Sequence, residues 1–201
     1  MTDMSATQAT ADTHPIRLVN NDDLRRKRLT VFFRLILAIP HFIWLTLWLF
    51  VLYLVGWIFW LIALFKGRLP DGIHNFVSRF TRYSTHVYAY SSLLADPFPK
   101  FLGAEGTYPM DLQIDGPQEQ NRLGILFRLL LAIPAFLLAY VLRLLMNVLA
   151  FVGWFYALFT GRMSEGIESL GAYALRYEAQ TFGYAFLLTG RYPSLGGAPT
   201  A

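Results

Sequence analysis

Arginines set deep in apolar sequence are the residues of this 201-residue chain whose chemistry most needs an account. Arg34 and Arg128 each sit one and a half turns before a proline, Pro40 and Pro134, inside the start of a long hydrophobic run. A guanidinium placed there either snorkels to the water interface or grips phosphate, because its planar fork of donors matches an anionic lipid head group. Arg143 stands near the middle of the second run. A charge in hydrocarbon costs several kcal/mol, which makes Arg143 a candidate for function. Arg25-Arg26-Lys27-Arg28 is a block of cations directly before the first run. Such a cluster faces anionic lipid and does not call for nucleic acid. The lipid head-group candidates are therefore Arg25, Arg26, Lys27, Arg28, Arg34 and Arg128.

Other chemistry is poorly represented. His14, His41, His74 and His86 lack metal-ligand spacing to one another or to a carboxylate. His74 and His86 share the polar face of one amphipathic segment, which reads as ordinary solvation. Asp22-Asp23 is expected to pair with the basic block beside it. There is no cysteine, hence no disulfide, thiolate site or cysteine nucleophile. No phosphate-binding glycine loop, Gly-x-Ser-x-Gly or His-Glu-x-x-His occurs. The expectation is a protein that is not an enzyme and uses no metal or cofactor.

The elements that carry these residues come as one unit built twice. Residues 15–99 recur at 109–193, shifted by 94 positions without a gap. Phe33-Arg34-Leu35 answers to Phe127-Arg128-Leu129, Leu37–Pro40 to Leu131–Pro134, and Ala63-Leu64-Phe65 with Gly67-Arg68 to Ala157-Leu158-Phe159 with Gly161-Arg162. Hydrophobic residues make up 55% of the chain and charged residues 15%, against about 25% charged in a soluble domain. Each unit holds an apolar run of about 37 residues, too long for one upright crossing of a hydrocarbon core of about 30 Å. Either Pro40 and Pro134 break a long helix, or each run folds as a hairpin of two short helices.

The charges favour the hairpin. Single crossings would put Arg25–Arg28, Arg34, Arg162, Arg176 and Arg191 on one side. Lys66, Arg68, Arg79, Arg82, Lys100, Arg122 and Arg128 would fall on the other, a near-even split that breaks the positive-inside bias. Hairpins place all of them on one side and put Arg143 at a tip, within reach of water. Gly67 and Gly161 read as helix ends, where glycine takes the left-handed conformation. The segment after Pro70 is amphipathic and fits a helix lying in the interface. The second copy's Gly171, Ala172, Ala174, Ala179, Gly183 and Ala185 permit close helix packing, and a pair between its Glu178 and Arg143 would be split by the hairpin. Pro15–Val19 and Pro109–Ile114 read as short strands able to pair across a pseudo-twofold.

The expected fold is an all-α integral membrane protein with tandem repeats. Each repeat holds a short strand, a hydrophobic helical hairpin (or one long proline-broken helix) and an amphipathic interfacial helix. The expected division is a disordered tail 1–14, a first repeat 15–101, a linker 102–107, a second repeat 108–195 and a disordered tail 196–201. The order Phe-Arg-Leu-x-Leu-Ala-Ile-Pro, apolar run, Ala-Leu-Phe-x-Gly-Arg, Gly-Ile, Arg-Tyr, Tyr-x-x-Leu-Leu resembles the DUF4389 family. The resemblance implies a bacterial membrane protein and no chemistry; the hydrophobic runs and the charge count add the expectation of a plasma-membrane protein with several passes and both termini cytoplasmic. The residues themselves suggest a non-catalytic protein that shapes the bilayer or supports a membrane complex, with lipids and a homo-oligomer or larger complex as partners. A small transporter or channel subunit built on parallel repeats is the alternative reading.

Overall fold

A computed structural model describes residues 14–196. The expected disordered tails fall outside the described residues, apart from His14 and Gly196. The elements are β1 (Ile16–Asn20), α1 (Arg28–Lys66), α2 (Asp71–Ser91), β2 (Met110–Ile114), α3 (Arg122–Leu126), α4 (Arg128–Thr160) and α5 (Glu165–Ala185). The described chain is mostly helical, with one strand pair.

The hairpins are not formed. α1 is one helix of 39 residues that runs through Pro40, and α4 is one of 33 residues that runs through Pro134. A proline inside a helix removes one hydrogen bond and costs roughly 3 kcal/mol. A turn in the middle of an apolar run would strand several peptide groups at once, at several kcal/mol each without water. Continuing the helix is cheaper, and no glycine–proline pair marks either centre. The helices end where the sequence indicates: Gly67 and Gly161 take φ of 76° and 72°, and their N–H groups donate to Ala63 and Ala157.

The two copies clasp each other. β1 and β2 pair antiparallel, with Leu18 opposite Leu112, its own counterpart in the other copy. A pseudo-twofold axis therefore passes through that pair. The contacts around it are reciprocal. The Arg26 N–H donates to the Gly161 carbonyl at 2.9 Å, and the N–H of its counterpart Gln120 to that of Gly67 at 2.8 Å. The Trp60 indole donates to the Ile125 carbonyl and the Trp154 indole to that of Val31, both at 2.9 Å. The start of α1 thus lies at the end of α4 and the reverse, so the long helices run antiparallel.

Three layers stack along the axis. β2 rests on α2 and β1 on α5; α2 and α5 touch each other; α2 packs on α1 and α5 on α4. Gly171 receives Leu94 and Met146, and Gly183 receives Ile16, where a side chain would collide. α2 is not an interfacial helix with a solvated polar face. Its His74, Arg82 and His86 are buried; the sheet and the 103–106 loop supply polar partners to Arg82 and His86, and His74 lies against Ser78 of the same helix. The long helices are buried along one narrow stripe only: Val31, Arg34, Ala38, His41, Leu45 and Leu52, then Ala63, on α1.

Candidate functional site

Arg34 and Arg128 do not reach a surface. They are 1% and 2% exposed. Arg34 donates to the carbonyls of Tyr90 (3.0 Å) and Ala95 (2.9 Å), pairs with Asp96 at 2.6 Å and lies over the Tyr90 ring. Arg128 repeats the arrangement on Thr189, Gln120 and Tyr184. Where the first copy has Asp96 the second has Gly190, and the Gln120 amide oxygen takes the carboxylate's place. Each guanidinium ties the start of a long helix to the hook that follows α2 or α5, where Leu93 and Leu187 adopt φ of 64° and 65°. Expected as lipid contacts, both are internal struts. The recurring Tyr-x-x-Leu-Leu places Tyr90 and Tyr184 at the repeat spacing of the arginines, but their contact with them was not foreseen.

Arg26 is also withdrawn from the surface, 4% exposed. It donates to the carbonyls of Leu93 and Leu94 and pairs with Asp22 at 2.7 Å, so Asp22 does meet the basic block. Arg25, Lys27 and Arg28 remain exposed. Arg25 pairs through its backbone with Arg162, which was not among the expected head-group residues. Arg25, Lys27 and Arg162 line a cleft of about 1100 Å³ beside the start of α1, with Leu37 and Phe98 as apolar wall.

Arg143 lies neither at a tip nor free in water. It pairs with Glu178 and stands 3.6 Å from the Tyr88 ring centre. One continuous α4 carries it over α5, which the hairpin would have prevented. The histidines are buried rather than solvated. His41 bonds the Tyr83 hydroxyl at 2.7 Å. His86 bonds Asp111 at 2.7 Å and stacks on Tyr108. Asp111 was not foreseen as special. It also accepts the N–H groups of Gly106 and Leu112 and stands 3.6 Å from Arg82. Burial alone would raise its pKa, but the hydrogen bond and charge of His86, with the two backbone donors, outweigh burial and hold it below the usual carboxylate range. Among the described residues, no three His, Cys, Asp or Glu side chains gather as a metal site.

The buried charges thus serve the fold. What the surface offers is the outer side of α1 and α4. Leu29, Leu35 and Phe65 are 74%, 70% and 76% exposed. Only 11% and 22% of the most apolar stretches of the two helices are buried, the opposite of core helices in a soluble protein. Both are long and apolar enough to cross a membrane.

The architecture defines a duplicated, mostly helical protein with a broad apolar face. The family model for DUF4389, a domain of unknown function, matches residues 28–103 and 122–195. The chain belongs to that family, in two tandem copies. No curated protein and no solved structure matches it.

Proposed function

We propose that the chain is a non-catalytic protein of the bacterial plasma membrane that shapes the bilayer or supports a membrane complex, with both termini on the cytoplasmic side. The exposed apolar face of α1 and α4 carries this reading. Soluble monomers seldom expose more than a few hundred Å² of continuous apolar surface, and here two helices of 39 and 33 residues lie largely uncovered. Lipid is the simplest cover. Arg25, Lys27, Arg28 and Arg162 at the rim supply cations for anionic head groups, each worth about 1 kcal/mol near such a surface. Arg34, Arg128 and Arg143 each bind partners inside the chain, which supports a mechanical role.

The test is reconstitution into vesicles of phosphatidylglycerol and phosphatidylethanolamine at rising protein-to-lipid ratio. Shrinkage or tubulation is the expected result, with recovery of a stable complex in mild detergent as the supporting role's counterpart. Vesicles of unchanged size, together with a lone monomer in detergent, would sink the proposal. Solute-specific flux would move the case to the transporter alternative.

A further inference from the structure

We infer that α1 and α4 lie flat in one leaflet, with the pseudo-twofold axis along the membrane normal, and do not cross the bilayer. The inference rests on the apolar face being lipid-facing and adds its orientation.

Symmetry supplies the main argument. The twofold that relates two antiparallel helices is perpendicular to both. If the helices crossed the bilayer, that axis would lie in the membrane plane at mid-depth, and so would everything threaded on it. The strand pair sits on the axis at Leu18 and Leu112. Its outer side shows Gln113 and the half-exposed Arg17–Asp115 pair. Open strand edges and an exposed ion pair do not occur at the centre of hydrocarbon. With the axis along the normal, the sheet stands in water, α2 and α5 lie beneath it and the long helices form the lipid layer.

Length agrees. A helix of 39 residues is about 58 Å long, nearly twice the hydrocarbon thickness, and lying flat removes the mismatch. The side chains agree as well. At roughly 100° per residue, the line opposite the buried stripe of α1 is Leu29, Ile36, Ile43, Leu47, Leu54 and Leu61. Trp44, Thr46 and Tyr53 flank the stripe about a quarter turn away. On α4 the far line holds Leu130, Leu137, Leu144 and Phe155, and Tyr140, Asn147 and Tyr156 flank. Crossing helices carry aromatic belts at their two ends; here these polar-tipped residues sit in the middle of α1 and between 140 and 156 on α4, flanking the buried stripe. Finally, Arg28, Lys66, Arg122 and Arg162 mark all four helix ends. Flat helices keep them on one side, which restores the one-sided charge that favoured hairpins.

The chain has no cysteine, so single sites can be introduced cleanly. Arg25→Cys, Arg68→Cys, Arg122→Cys and Arg162→Cys, each exposed, are treated with a membrane-impermeant maleimide in right-side-out and inverted vesicles. All four should label from one side only. Leu54→Cys and Leu137→Cys should label from neither side, and a fluorophore placed there should be quenched by shallow rather than mid-bilayer doxyl lipids in one leaflet. Labelling of 25 and 162 from one side and of 68 and 122 from the other overturns the inference in favour of crossing helices. Labelling of 54 or 137 from the far side overturns it as well. Wild-type protein washed off native membranes by carbonate would overturn the lipid reading itself. Failure of vesicles to change shape would leave this orientation standing.

Discussion

Asp111 and the paired arginines Arg34 and Arg128 show how far single residues can mislead. The sequence marked both arginines, from their place before a proline, yet apart from Gln120 their partners lie about sixty positions away, where no local pattern reaches. Arg34→Met strands the Tyr90 and Ala95 carbonyls and leaves Asp96 without its cation. We expect a loss of about 3–5 kcal/mol, the range for breaking a buried ion pair, read as a lower thermal midpoint in detergent with unchanged affinity for anionic vesicles. A drop in vesicle affinity alone would restore the head-group role. Asp111 was hidden because its strand alternates apolar and polar, which predicts an exposed side chain; the 103–106 loop covers it instead. Its pKa is held below its ordinary value, so its contribution to stability is full above the unfolded pKa of about 4 and is lost as pH falls through the folded one. Asp111→Asn should cost about 1–3 kcal/mol at neutral pH and flatten that acid limb. An unchanged acid limb in the variant would show that other carboxylates set it.

At the scale of elements, the ends of the long helices were legible and their middles were not. Glycine followed by arginine announces a helix end through backbone sterics alone. Whether a run of 37 apolar residues turns halfway depends on what covers it, which composition does not record. The strands and their pairing were readable because the repeat spacing puts Leu18 against its own counterpart. α2 was read as interfacial because its polar side looked solvated, whereas a sheet from elsewhere in the chain covers it. Two substitutions follow. Pro40→Ala restores an N–H to a helix that is already continuous, so helical content and the thermal midpoint should hold or rise; a loss of folded protein would show that the proline is needed as a bend. Gly103 has a φ of 55° and its missing Cβ would collide with the Arg79 carbonyl. Gly103→Ala should therefore destabilise by more than the roughly 1 kcal/mol of ordinary left-handed strain, measured by thermal unfolding, and should loosen the nearby Arg82–Asp111 cluster.

For the whole molecule, the charge count favoured hairpins, and the continuous helices overturn that geometry. Basic residues gathered on one side can be met by hairpins or by helices that never leave one leaflet, and sequence alone does not separate the two. The reciprocal contacts carry a consequence for ancestry. Each copy lends its leading segment to the other, so neither half closes on its own: an isolated first copy has an unpaired β1 and an α1 whose end finds no donor at Gly67. Such a half has the makings of a homodimer, and the present chain is the architecture of that dimer fused end to end. Residues 1–107 expressed alone should dimerise in detergent and, as Leu18→Cys, crosslink at the axis; a well-folded monomer would show the exchange to be dispensable. Fusion also frees the halves to diverge, and they have: the first keeps all four histidines, the second the Arg143–Glu178 pair.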